Sequence, residues 1–191
     1  MKSLCVYCGS ANGHDSVFME SAQELGRELA GRNIRLIYGG ARIGVMGAIA
    51  DACLQAGGKV TGVIPHHLDD VEVGHRGLTE LKIVPSMHER KKLMFDMADA
   101  FAILPGGLGT LDEFFEILTW RQLRLHDKPV ILVNIEGYWD SFITLIDNII
   151  HNGFAKPEVR QHYSIVNQIS RLFDMLATPA DTAIADHPER F

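Results

Sequence analysis

Runs of apolar residues punctuated by glycine set the rhythm of this chain. Residues 2–7, 34–38, 60–64, 100–104 and 129–133 are nearly continuous apolar stretches, and each is followed by a turn rich in glycine, proline or asparagine. Such runs are too short for helices and too uniformly apolar for half-exposed strands, so they predict strands buried on both faces. Shorter strands are predicted at 81–84 and 165–166. Between them lie segments with helical spacing. Residues 16–31 place Phe18, Ala22, Leu25 and Leu29 on one face, and helices are also predicted over 46–56, 87–98, 111–123, 139–152 and up to Leu176. Residues 66–79 are the least regular and read as a loop over a site, and residues 179–191 as a loosely held tail.

Strands that alternate with helices pair in parallel through right-handed crossovers. The expected fold class is therefore α/β: a doubly wound, Rossmann-like parallel sheet with helices on both faces, in one domain over residues 1–178. Ligands of such sheets sit beyond the carboxyl ends of the strands, where the strand order reverses. The glycine elbows at Gly9-Ser10, Gly39-Gly40 and 106–110 all fall on that edge.

Composition narrows the partners. A chain of 191 residues with 47% hydrophobic and 22% charged residues is ordinary for a globular domain. Its formal charge of −6, without a basic tract, argues against nucleic acid. No apolar run reaches the roughly 20 residues that span a bilayer, and residues 1–7 are too short for a secretory leader, so a cytoplasmic protein with no membrane partner is expected. Cys5 and Cys8 have CxxC spacing, but Cys5 lies inside a strand and no second pair exists, which favours buried thiols over zinc or redox chemistry.

The most informative stretch is Leu104-Pro105-Gly106-Gly107-Leu108-Gly109-Thr110-Leu111-Asp112-Glu113. A strand ends, three glycines allow close approach, and a helix begins. Unpaired N–H groups and the positive end of the helix dipole would then face a ligand, forming a phosphate cradle. Glu113 would repel a phosphate, so it belongs against another part of the same ligand. Alternatively Thr110-x-x-Glu113 is a capping box and Glu113 merely closes the helix. Glu116 shares its face at i+3. Upstream, Met87-His88-Glu89-Arg90-Lys91-Lys92 opens a helix on the ligand edge. Arg90 can fork onto a phosphate or purine, and at most one of the two lysines can join it. Gly39-Gly40-x3-Gly44-x2-Gly47 resembles a dinucleotide fingerprint, but its spacing is wrong and no acidic residue ends the next strand. His66, His67, Asp69, Asp70 and His75 meet no fixed metal spacing, so no metal site is expected. Phe114, Phe115, Ile117, Leu118 and Trp120 make the 111–123 helix apolar nearly all round, which suggests a subunit contact.

These motifs together resemble the LOG ("Lonely Guy") family. Residues 105–113 fit its PGGxGTxxE pattern and Met87-His88-Glu89-Arg90-Lys91 its MHxRK element. Cys8-Gly9-Ser10, Tyr38-Gly39-Gly40 with Gly44-x-Met46-Gly47, and Thr119-Trp120 with His126-Asp127-Lys128-Pro129 also match. The likeness runs from Leu4 to Val166. Phe18 stands where tyrosine is common and Ser86 where aspartate is common. The resemblance implies a homodimeric, cofactor-free phosphoribohydrolase. Its reaction would split an N6-substituted adenosine 5′-monophosphate into free base and ribose 5-phosphate. By the same resemblance Arg90 and Glu113 are the catalytic pair. Ser10, Gly39, Gly40, Met87, Lys91, Gly106, Gly107, Leu108, Gly109, Thr110 and Glu116 would surround the nucleoside monophosphate. Two other readings remain at this stage: a general AMP or nucleoside-monophosphate nucleosidase, and a non-catalytic carrier or sensor of a phosphorylated ligand. The family has also carried a lysine decarboxylase label, for which the sequence offers no pyridoxal-phosphate lysine context.

Overall fold

The structure is a computed structural model and describes residues 1–69 and 73–177. The tail expected at 179–191 lies outside these residues, as does Asp70. The strands are β1 (Ser3–Tyr7), β2 (Arg35–Tyr38), β3 (Val60–Pro65), β4 (Glu80–Val84), β5 (Ala100–Ile103), β6 (Val130–Val133) and β7 (Ser164–Val166). The helices are α1 (Ser16–Gly31), α2 (Gly44–Gln55), the short α3 (His66–Asp69), α4 (Met87–Met97), α5 (Leu108–Gln122), α6 (Asp140–His151) and α7 (Ile169–Ala177). Turns of 3₁₀ helix occupy Ile135–Gly137 and Pro157–His162. Among the described residues no helix is long and apolar enough to cross a membrane.

All strands pair in parallel, in the order β4-β3-β2-β1-β5-β6-β7. The chain winds outward from β1 to β4, then returns to lay β5 on the other side of β1. The reversal therefore falls between β1 and β5. Each side of the sheet has its own core. One holds α1, α2 and α7, with Leu4 and Val6 from β1; the other holds α4, α5 and α6, with Cys5 and Tyr7. Cys5 and Cys8 pack into opposite layers as free thiols, because residues three apart on a strand point to opposite faces. Close packing of α1 on α2 depends on Gly26, where an added Cβ would lie 2.5 Å from the Ile49 carbonyl oxygen.

Local signals explain the boundaries. Asp15 caps α1 by accepting the Val17 N–H at 3.0 Å, and Ser86 caps α4 by accepting the Glu89 N–H at 3.2 Å. Serine and aspartate are nearly equivalent caps, so the departure at Ser86 leaves this helix start intact. The structure differs from the sequence expectation in two places. Helix α5 begins at Leu108, three residues before the expected 111, because a glycine in a first turn costs only about 1 kcal/mol. The 66–79 segment is not a pure loop. It opens with α3, and residues 73–75 then bind the exit of β2, with Arg42 donating to the Val73 carbonyl at 3.0 Å and His75 to the Gly40 carbonyl at 2.9 Å.

Candidate active site

The site is assembled where the sheet reverses. Beyond β1 the Gly9 N–H donates to the Pro105 carbonyl at 3.1 Å, tying the exit of β1 to that of β5. A Cβ on Gly106 would lie 2.8 Å from the Gly9 nitrogen and 2.2 Å from Thr110 Oγ1, so only glycine fits this crossing. Gly107 is the N-cap of α5, in extended conformation and with no side-chain cap. The first intrahelical bond runs from Leu111 N–H to the Gly107 carbonyl at 3.1 Å. The amides of Leu108, Gly109 and Thr110 precede it and have no helical acceptor. A Cβ on Gly107 or Gly109 would meet nothing within 4 Å, so this helix start opens onto free space.

The start of α2 differs in a decisive way. Its Val45 and Met46 amides donate to the carbonyls of Ala11 and Gly9, at 3.3 and 3.2 Å. Gly44, at φ +61°, presses on the Ser10 backbone, and Gly47 on the Arg42 carbonyl. Gly44 and Gly47, the later glycines of the fingerprint-like run, thus serve packing, and their helix has few amides left for an anion.

Two buried charged residues face the cleft beside α5. Arg90, on the first turn of α4, is 5% exposed, and Glu113 on α5 is 9% exposed. The Arg90 guanidinium donates from Nη2 to the Gly39 carbonyl at 3.0 Å and from Nη1 to Met87 Sδ at 3.7 Å. Thr110 lies inside α5 rather than at its cap, so the capping-box alternative for Glu113 is not realised. Burial, reinforced by the charge of Glu113 and opposed by Arg90, holds the Cys8 thiol well above the ordinary range. Cys8 therefore stays a neutral thiol and supplies no nucleophile.

Together these groups line a cleft of about 210 Å³. Of the residues expected from the sequence, Ser10, Gly39, Met87, Arg90, Gly107, Leu108, Gly109, Thr110 and Glu113 line it. Gly40 and Gly106 do not. Gly40, at φ +82°, shapes the turn behind the cleft. Lys91 and Glu116 also stand apart from the lining, because the Lys91 ammonium lies 3.1 Å from both Asp112 and Glu116 and ties α4 to α5. Desolvation pulls the Lys91 pKa down, but the bonds to Glu116 and Asp112 outweigh it and the net shift is upward. Sequence reasoning did not place Cys8, Met46, Asp112 or Leu68 in the lining. Cys8 and Met46 stand within the family motifs, whereas nothing in the sequence marks Leu68.

Two of the candidate metal ligands, His75 and Asp69, are committed to other bonds. His75 meets Asp51 at 2.9 Å through Nε2, while Nδ1 accepts the Gly77 N–H at 3.1 Å; Asp69 pairs with Arg76. Among the described residues no three His, Cys, Asp or Glu side chains form a metal-holding group. A larger hollow of about 410 Å³ opens between α1 and α2, lined in part by Arg27, Arg42 and Asp51; none of the expected site residues line it. The apolar circumference of α5 is largely covered within the chain: Phe115 packs against Phe142 of α6 and Trp120 against Phe95 of α4. The excess that suggested a subunit contact is thus mostly explained by two flanking helices. What stays exposed is Leu108, at 85%, with Leu123 and Leu125 beyond the helix end.

Comparison with known proteins identifies the family. A family described as "Possible lysine decarboxylase" matches residues 46–176. A cytokinin riboside 5′-monophosphate phosphoribohydrolase of Rhodococcoides fascians is 42% identical over 179 residues, covering 93% of this chain and 90% of its own. The Arabidopsis thaliana enzyme of the same name, LOG1, is 47% identical over 159 residues, or 83% of this chain and 75% of its own. The chain belongs to the LOG family. Among solved structures, the molybdenum cofactor binding protein of Rippkaea orientalis superposes with a TM-score of 0.69 at 19% identity, over 92% of this chain and 96% of its own. The molybdenum cofactor carrier protein of Chlamydomonas reinhardtii gives 0.66 at 16% identity, over 92% and 95%. At such identities the two structures share the fold of this LOG family member and say nothing of its ligand.

Proposed function

We propose that this chain hydrolyses the N-glycosidic bond of cytokinin riboside 5′-monophosphates, N6-substituted adenosine monophosphates, to free base and ribose 5-phosphate. The observation that carries the reading is a buried carboxylate, Glu113, about one helical turn from an open helix start on the same helix. The amides of 108–110, with Ser10 opposite, receive the 5′-phosphate. The helix dipole favours that charge. One turn along α5, roughly the span of a ribose ring, Glu113 faces the sugar.

Breaking C1′–N9 sends the bonding pair to the base and leaves positive charge on C1′ and O4′. The Glu113 carboxylate stabilises that cation and takes a proton from the attacking water, whose oxygen bonds to C1′. Arg90, held by the Gly39 carbonyl, orients the nucleotide and offsets charge on the departing base, and the proton that Glu113 takes from water is passed through solvent to that base, restoring the carboxylate. Every step uses groups of the chain and water, so no cofactor enters. A decarboxylase reading lacks its amine, because no lysine is among the described residues lining the cleft. We further propose that the protein works in the cytoplasm as a homodimer. Exposed Leu108, Leu123 and Leu125, next to the site and beyond the end of α5, offer an apolar contact.

The test is incubation with isopentenyl-AMP, AMP and isopentenyladenosine, followed by chromatography for free base. Base release from isopentenyl-AMP, at least about 100-fold faster than from the riboside, is expected from the lost phosphate anchor. Equal rates on riboside and monophosphate would overturn the phosphate assignment. Faster release from AMP would favour the general nucleosidase.

A further inference from the structure

The turn between β6 and α6 reaches back into the site. Asn134 organises it, accepting the Trp139 N–H at 2.7 Å and donating to Asp140 at 2.8 Å. Glu136 and Gly137 follow each other in the left-handed region, at φ 49° and 70°. The turn delivers Tyr138, whose ring sits edge-on to Phe18 at 5.4 Å and to Trp139 at 4.8 Å. Its hydroxyl donates to the Gly106 carbonyl at 2.6 Å.

That carbonyl belongs to the Gly106–Gly107 peptide. A trans peptide is planar, with C=O and N–H pointing in opposite directions. Fixing the Gly106 oxygen toward Tyr138 therefore fixes the Gly107 N–H on the side away from it. A peptide between two glycines has little intrinsic preference, since both residues tolerate either sign of φ. This plane needs an outside hold, and Tyr138 is one. Donation into the carbonyl also polarises the peptide and strengthens its N–H as a donor.

We propose that Tyr138 is a positioning residue for the phosphate cradle. It aims the Gly107 amide so that it joins those of 108–110 on the anion. The inference rests on the phosphate reading of this helix start. It assigns a role to a residue outside the glycine motif and outside the cleft lining.

The test is Tyr138→Phe, which removes one oxygen and keeps both ring contacts. Three quantities are measured: KM and kcat on isopentenyl-AMP, competitive inhibition by inorganic phosphate, and turnover of isopentenyladenosine. KM and the phosphate inhibition constant should both rise about tenfold, the scale of one hydrogen bond to a charged group. The kcat at saturation, the riboside rate and Tm should stay close to wild type. Unchanged KM and phosphate inhibition, in an enzyme that still prefers the monophosphate, overturn the role of Tyr138 alone. A wild-type enzyme indifferent to the phosphate overturns the cradle and this inference together.

Discussion

Replacing Gly39 by alanine adds one methyl group at a place where the structure leaves no room. The new Cβ would lie 2.0 Å from Arg90 Nη2, 3.2 Å from its Cζ and 3.0 Å from Met46 Sδ. The backbone at Gly39 is not left-handed, unlike Gly40, so alanine carries no conformational penalty of its own. Most of the effect falls on Arg90, because the flexible Met46 thioether need yield only a few tenths of an ångström. Carbon and nitrogen settle near ~3.5 Å, so the guanidinium must retreat by about 1.5 Å. It then loses its bond to the Gly39 carbonyl, worth roughly 1.5–3 kcal/mol for a charged donor, or about 10- to 150-fold. A shift of that size in a positioning group is itself expected to cost on the order of 10²-fold. Base release from isopentenyl-AMP by Gly39→Ala should therefore drop about 10²-fold in kcat/KM. A double-mutant cycle isolates the cause. With Arg90→Ala in place the clash with the guanidinium is gone, only the milder contact with Met46 remains, and Gly39→Ala should add little. A single variant within threefold of wild type, or a cost that simply adds in the double variant, would refute the reasoning.

Glu113→Gln keeps the shape and removes the charge; turnover should fall by about 10² or more while nucleotide affinity by calorimetry persists, and near-normal turnover would reduce Glu113 to a structural residue. Gly109→Ala should separate stability from activity: the methyl meets open space in a helix, raising stability by up to about 1 kcal/mol in urea unfolding, yet it intrudes on the anion and lowers kcat/KM. His126 donates Nε2–H to the Ile117 carbonyl at 2.9 Å, and burial, with Arg121 and Lys128 nearby, holds its pKa below 6.5. The unfolded chain then binds the proton more readily, so this stability is complete above pH 6.5 and is lost as pH falls toward the folded pKa. Thermal unfolding of His126→Gln should show a shallower decline than wild type from neutral pH to about 5, and parallel slopes would contradict it. Activity should survive dialysis against EDTA, and loss restored by zinc would bring the 66–75 segment into the mechanism.

The sequence made the strands and the ligand edge readable, because buried parallel strands are uniformly apolar and their exits need glycine. It also marked the two buried charged residues of the cleft, Arg90 and Glu113. It could not rank their neighbours. Successive residues on a helix point about 100° apart, so Lys91 turns away from the Arg90 side and meets Asp112 and Glu116 instead. Nor could spacing tell the two glycine-rich helix starts apart. Helix α2 spends its first amides on the carbonyls of Ala11 and Gly9, and α5 does not. That difference is set by contacts more than thirty residues apart in the chain, from Val45 to Ala11 and from Met46 to Gly9, and Tyr138 reaches Gly106 across 32 residues. The apolar excess of α5 was ambiguous for a related reason: its flanking helices supply much of the cover, and periodicity along one helix does not reveal them.

The seam between β1 and β5 also carries a consequence for biogenesis. Leu4 pairs with Ala100, so β1 emerges from the ribosome about a hundred residues before one of its two partners, some 5–20 s at ordinary synthesis rates. In that interval β2 can cover one side of β1 while the other stays an open, largely apolar edge, a template for pairing with another nascent chain. Chaperone demand should peak in that window. On refolding from denaturant, catalytic activity should lag the far-ultraviolet signal, because helices form locally whereas Gly9 and Pro105 meet only when this long loop closes.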